Sequence, residues 1–284
     1  MDQAAAPPVD VTRQRGETIY RHRLPVRIMH WINVLALTIL FMSGLNIFEA
    51  HPALYWGKSS YTGHPAVLEI GARENDAGQP EGFTRIFGHE FVTTGFLGVH
   101  GTGEGMTTDA FAPWLTIPSS RWLSAARSWH FFFAWLFVIN GLCYVAWTIP
   151  SRHLARDLLP TRFDLRGIGA SIRDHLRLRH PGGDAAKRYN VLQKIAYVAV
   201  IFVLLPLVVL MGLGMSPRLD TLFGGWVDVF GGRQSVRTIH FIVAWLLVAF
   251  AAVHVFEVIV TGLWNNLRSM ITGRYRVPPE VTHE

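Results

Sequence analysis

Four runs of this chain are long and apolar enough to cross a lipid bilayer, and that constrains its fold more than any other feature. They cover roughly 28 to 48, 129 to 149, 195 to 215 and 239 to 263, where a crossing helix needs about 20 largely apolar residues. Hydrocarbon offers a bare backbone no hydrogen-bond partner, so runs of this kind become helices and four of them a bundle. The composition agrees: 50% hydrophobic, 16% charged, mean hydropathy +0.25. The expected fold class is an all-α integral membrane protein, a four-transmembrane-helix bundle. Residues 1–27 precede the membrane domain of 28–263, which includes an outer loop 49–127 and a cytoplasmic loop 150–190, and a tail 264–284 follows. The first run is longer than the 7 to 15 apolar residues of a secretion signal and is read as a retained span.

Lys and Arg set the expected orientation. Arg13, Arg15, Arg21, Arg23 and Arg27 precede the first span. Arg152, Arg156, Arg162, Arg166, Arg173, Arg177, Arg179, Lys187 and Arg188 crowd the connection between the second and third, and Arg268, Arg274 and Arg276 the tail. The two opposite connections are poorer in basic residues for their length, so both termini are expected in the cytoplasm. The bilayer explains the basic pI, and no nucleic-acid partner is needed.

Within the spans stand His30, His130, His240 and His254. His30 begins an outward span, and His130 and His240 each begin an inward one. His254 lies fourteen residues beyond His240 on the same run; fourteen steps of 100° return to within about 40° of the starting direction and rise about 21 Å. Only one pairing is level: His130 with His240 near the outer face, His30 with His254 near the inner. Neutral imidazole is a good iron ligand once its second nitrogen is held, so each pair is read as the two axial ligands of a haem. Cys143 is the sole cysteine, which excludes a covalent haem attachment, an intrachain disulfide and a cysteine-held iron–sulfur cluster. The expected cofactors are two non-covalent b haems, and Cys143 reads as a small packing residue.

Arg27, Arg127 and Arg237 each precede a histidine by three residues, on its face and one turn nearer water. They suit either haem propionates or interfacial anchoring. Glu257 lies one turn beyond His254 and reads either as a helix-end acid or as a proton donor. Gly44, Gly141, Gly212 and Gly214 permit close approach of a haem or of a neighbouring helix, and Pro206 is expected to kink the third span. Trp31, Trp129 and Trp264 read as interfacial belt residues.

Taken together, Arg27-x-x-His30-Trp31, Arg127-x-x-His130, Arg237-x-x-His240 and the step to His254 resemble the di-haem cytochrome b subunits of nickel-iron hydrogenases and formate dehydrogenases. Tyr189-Asn190-x-x-Gln193-Lys194-x-x-Tyr197 is similar to that family's quinone-site sequence. The resemblance implies electron relay, in the bacterial inner membrane, between a periplasmic oxidoreductase and the quinone pool. Asn190 and Gln193 would bind a quinone carbonyl and Glu257 would supply protons; Asn190 also reads as an ordinary helix N-cap. Trp114-Leu115-Thr116-Ile117-Pro118 and the segment from Trp129 to Trp135 look closest to the thiosulfate reductase cytochrome b branch, which implies a molybdopterin-dependent partner.

Residues 49–127 depart from the hydrogenase type, which has a short connection there. Their glycines, prolines and aromatics, including Tyr55, Trp56, Tyr61, Phe83, Phe87 and Trp114, predict a loop folded onto the bundle. His51, His64, His89 and His100 lack ligand-like spacing, and Gly101-x-Gly103-x-Gly105 is a turn rather than a dinucleotide fingerprint. Two other readings stand beside the relay: a haem-free membrane anchor for a periplasmic enzyme, and a haem or metal transporter. The first leaves four histidines unexplained, and the second needs a polar pathway that the spans lack.

Overall fold

The computed structural model describes residues 17–60, 63–177, 183 and 187–278. Arg13, Arg15, Tyr61 and Arg179 lie outside the described residues, as do most of the segment 1–27 and the end of the tail 264–284. Among the described residues there are four helical spans: α1 (Leu24–Glu49), α2 (Leu123–Ser151), a third running Val191–Gly214, and α8 (Arg233–Val260). The third comprises α5 (Val191–Ala199), a π-helical segment Val200–Leu204, and α6 (Leu205–Gly214). Pro206 has no N–H to donate, and the turn before it is π-helical. The chain packs as two units that exchange within the four spans: Met1–Met29, Tyr144–Val200 and Phe250–Glu284 form the first, His30–Cys143 and Ile201–Ala249 the second.

In the second unit the connection 49–127 folds onto the bundle as expected, but as an antiparallel sheet in the order β2 (Ala53–Leu54), β3 (Leu68–Glu74), β4 (Pro80–Ile86), β5 (His89–Val92). The chain remains mostly helical, and this sheet lies wholly within the connection. The β3–β4 hairpin closes where Asn75 Oδ1 accepts the N–H groups of Ala77 and Gln79, the Asx geometry favoured in turns. The β4–β5 hairpin closes on Phe87 and Gly88, both with positive φ, the backbone twist a two-residue hairpin requires. Leu45 and Phe48 of α1, Leu54, Ile70, Ala110 and Phe111 make a buried cluster, with Phe41 and Phe241 packed against it. The sheet is thereby bonded to the ends of α1 and α8. Asn46, almost wholly buried, donates to the carbonyls of Ile117 and Ser119 and fixes the approach to α2.

Between α6 and α8 the chain forms α7 (Pro217–Leu222) and then reverses at Gly231 and Gly232, both left-handed. A Cβ on Gly232 would stand 2.7 Å from Lys58 Cγ and 2.8 Å from Lys58 Cα, so glycine is required there by conformation and by space. The Gly101–Gly105 segment is the expected turn, closed by a bridge between His100 and Thr107.

In the first unit a two-stranded ribbon pairs β1 (Thr18–Tyr20) with β6 (Arg274–Arg276). Tyr275, Val277 and Ile19 form its apolar face. The segment before the first span and the segment after the last are therefore partners, which requires an even number of crossings between them. The connection after α2 forms α3 (Arg162–Arg166) and α4 (Ile168–Leu176). A capping box between Thr161 and Asp164 starts α3, satisfying two backbone donors that would otherwise be orphaned. Asp164 also pairs with Lys194 of α5 at 2.7 Å. Gly262 ends the last span with a left-handed turn, and α9 (Leu263–Thr272) follows, with Trp264 strongly exposed.

Candidate functional site: the paired histidines and the motif before the third span

His130 stands in the second turn of α2 and His240 in the second turn of α8, both in the second unit. Their ring centroids are 6.4 Å apart. Each ring is held at Nδ1. Ser43 Oγ donates to the carbonyl of Ile39 at 2.6 Å, leaving its oxygen to accept from His130 Nδ1 at 3.1 Å. His240 Nδ1 donates to the carbonyl of Val208 at 2.9 Å. With both protons assigned to Nδ1 by their partners, each ring is left with the Nε2 lone pair, the state an axial iron ligand needs.

A glycine backs each ring. A Cβ added at Gly44 would lie 3.4 Å from His130 Cε1, and one at Gly212 would lie 3.4 Å from His240 Cε1. α1 thus cradles the histidine of α2, and α6 cradles the histidine of α8, with the same spacing. Two metal–imidazole bonds of about 2 Å, plus about 1 Å from each ligating nitrogen to its ring centre, span about 6 Å. The residues fit a haem iron between them. Of the other two glycines, Gly214 allows a close approach of α8, since a Cβ there would stand 2.7 Å from Val236 Cγ1, and Gly141 faces open space.

The candidate residues of the first unit form a second assembly. Asn190 and Gln193 make a reciprocal capping box at the start of α5: Asn190 Oδ1 accepts from the Gln193 N–H at 2.8 Å, and Gln193 Oε1 accepts from the Asn190 N–H at 3.2 Å. Both carbonyl oxygens are used by the helix, and both amide N–H₂ groups remain as donors. Tyr189 meets Tyr197 edge-on at 5.4 Å, Tyr197 meets Phe250 at 6.5 Å, and Phe250 stacks on His254 at 5.9 Å. The Arg21 guanidinium lies over Tyr275 and Tyr189. Burial pushes the Tyr189 phenol up, so it stays protonated. Glu257 Oε1 lies 3.4 Å from His175 Nε2 of α4, and Glu257 Oε2 is buried without a hydrogen bond.

His30 belongs to the second unit, beside the edge of Trp31 at 5.5 Å, and His254 belongs to the first. The three arginines have separate surroundings. Arg27 donates to the carbonyl of Ile271 at the end of α9. Arg127 is exposed over the ring of Phe131. Arg237 clamps the outer loop, donating to the carbonyls of Ala53 at 2.7 Å and His51 at 2.6 Å while lying over Phe48. His51 and His64 flank Tyr55; burial, then Arg237, holds the His51 imidazole down, so it is neutral. Among the described residues no cluster of three or more His, Cys, Asp or Glu is placed to hold a metal ion. Cys143 is exposed along α2 rather than packed inside the protein.

The family described as prokaryotic cytochrome b561 matches residues 81–273, which hold His130, His240, His254 and the motif before the third span. The chain belongs to this family. It is a multi-pass bacterial membrane cytochrome of the b type, and its relatives are oxidoreductase subunits. A protein of Azospira oryzae, provisionally named protein-methionine-sulfoxide reductase subunit YedZ1, is 27% identical over 248 residues, covering 87% of this chain and 93% of that one. A protein of Cupriavidus necator, provisionally named as the B-type cytochrome subunit of a Ni/Fe-hydrogenase, is 22% identical over 268 residues, covering 89% and 85%. Neither carries the thiosulfate reductase name suggested by the motifs around Trp114 and Trp129. No solved structure matches.

Sequence reasoning missed several groups that the structure places in these two assemblies. Ser43 stands beside Gly44, and a hydroxyl next to a small residue in a span was a usable signal. Val208 contributes only its carbonyl, which any residue could supply. His175, Arg21 and Phe250 have no spacing that marks them.

Proposed function

We propose that this cytochrome relays electrons between a periplasmic oxidoreductase and the quinone pool of the inner membrane, through two b haems, with both termini in the cytoplasm. The facing pair His130 and His240, each held at Nδ1 and backed by glycine, carries the reading. His130 and His240 would hold the outer haem. His30 and His254 would hold the inner one, which rests on their matched depth in the sequence. A haem bound at either pair supplies one-electron redox chemistry.

The chain's own residues do the rest. Ser43 and Val208 fix the tautomer and ring orientation of the outer ligands. At the quinone end the N–H₂ groups of Asn190 and Gln193 donate to a quinone carbonyl, while their oxygens keep the α5 cap. Glu257 gives a proton to a quinone oxygen, since reduction of a quinone consumes two protons with two electrons. The exposed Arg127 has guanidinium donors to spare for an outer haem's carboxylates, whereas Arg237 holds the loop. Relatives named as hydrogenase and methionine-sulfoxide reductase subunits support an enzyme partner. That it docks on the outer sheet and carries molybdopterin is part of the proposal.

Haem analysis of the purified protein tests it: two b haems per chain, all extractable by acid acetone. His130→Ala and His240→Ala should remove one spectral component, and His30→Ala and His254→Ala the other. A single haem, or loss of different components within either pair, overturns the four-ligand assignment.

A further inference from the structure

Glu257 is placed to give a proton, but nothing so far resupplies it. The carboxylate is largely covered, with a side chain 18% exposed, whereas the neighbouring His175 imidazole is 30% exposed. His175 belongs to α4, a short helix of the connection between the second and third spans. It reaches Glu257 Oε1 at 3.4 Å, while Glu257 Oε2 is buried and bonded to nothing. The titratable groups set around Glu257 are His175 from α4, the Tyr197 phenol from α5, and His254 one turn back on its own helix. Arg21 is the cation beyond the tyrosines. His175 is the member of the set that lies outside the spans and is partly open to water.

We infer that His175 is the proton-loading group for Glu257, so that the two form a relay from the water at the terminal end of the bundle to the quinone. In the loading step the imidazolium's Nε2–H bond breaks and an O–H bond forms on Glu257, with no electrons moved. Glu257 then passes that proton to the quinone oxygen, and the neutral imidazole is reprotonated from water. His175 acts through Glu257 and is a positioning and loading residue; it does not touch the quinone. This inference rests on the quinone site proposed above.

The experiment uses the full-length, haem-loaded cytochrome, reduced with dithionite and mixed with decylubiquinone, with haem reoxidation followed by stopped flow and proton uptake by an indicator dye. His175→Gln should slow both signals about tenfold or more, leave haem content and spectra unchanged, and remove one ionisation from the pH profile. Added imidazole should restore part of the rate to His175→Ala. The double variant with Glu257→Gln should be no slower than Glu257→Gln alone, the coupling expected of one pathway. If Glu257→Gln itself runs at the wild-type rate, the quinone site is wrong. If Glu257→Gln is slow while His175→Gln is not, the site stands and the relay falls. Slowing by His175→Gln that imidazole does not relieve, and that adds to the effect of Glu257→Gln, assigns His175 a merely structural role and also overturns the relay.

Discussion

Replacing Gly44 or Gly212 by valine tests the proposed haem-bearing pair without touching either histidine. At each position an alanine Cβ would stand 3.4 Å from the histidine Cε1, with Nδ1 at 3.7 Å for His130 and 3.6 Å for His240. Carbon atoms are at ease at about 3.5 to 4.0 Å, so alanine fits if the ring yields by a few tenths of an ångström. Valine adds two carbons about 1.5 Å further out, and a helix holds it to essentially one rotamer, so the branch cannot swing clear. Overpacking of this kind costs about 1 to 3 kcal/mol, equivalent to about a 5- to 150-fold loss of the ligating ring position. Pyridine haemochrome content and reduced-minus-oxidised spectra provide the assay. Gly44→Ala and Gly212→Ala should retain both haems. Gly44→Val and Gly212→Val should each lose or broaden the same component, the one removed by His130→Ala. Gly141→Val, which meets nothing within 4 Å, should leave both intact. Full haem in both cradle valines, or equal loss in Gly141→Val, would refute the argument.

Two further outcomes are expected. Asn190→Ser keeps a side-chain oxygen for the α5 cap but has no N–H₂ to give a quinone; helix stability should hold while the KM for decylubiquinone rises about 2- to 13-fold, one hydrogen bond of about 0.5 to 1.5 kcal/mol, and an unchanged KM would remove Asn190 from the site. Lys194, by its hydrogen bond, holds the Asp164 carboxyl down at about 2. A carboxyl lowered in the fold contributes stability that is complete above its ordinary range and lost as pH falls through the lowered value. Protease resistance of the 152–177 connection should therefore persist to about pH 4 and fail towards pH 2, whereas Lys194→Met should already be sensitive at neutral pH.

The four spans were legible because bilayer thickness is a coarse ruler that apolar runs satisfy. Their ends were less so. α8 begins at Arg233, six residues before the apolar run, because a helix continues through polar residues once past the hydrocarbon, and it stops at Val260, where Gly262 turns left-handed. The histidines could be read from depth alone, since Arg-x-x-His recurs at matched positions. Their Nδ1 partners were harder: one is a backbone carbonyl, which no residue type marks, and the other a serine on a different span, marked only by its neighbouring glycine. Asn190 and Gln193 show how two readings merge, because an amide can cap a helix through its oxygen and still offer its nitrogen. The sheet of 49–127 escaped notice because its strands are two to seven residues long. The alternation of Leu68, Ile70 and Ala72 with Glu69, Gly71 and Arg73 was the available signal, and Arg73, Arg85, Glu69, Glu81 and Glu90 form cross-strand pairs on the charged face.

The ribbon between β1 and β6 sets a schedule for assembly. Tyr20 emerges from the ribosome early, and its partner Arg274 is made roughly 250 residues later, a delay of about 13 to 50 s at 5 to 20 residues per second. Throughout that interval β1 is a strand without a neighbour, and every span must be threaded before the ends can be knotted together. Closing the clasp is thus the last act of a correctly inserted chain. A chain that loses or gains one crossing delivers its tail to the wrong side and can never close it.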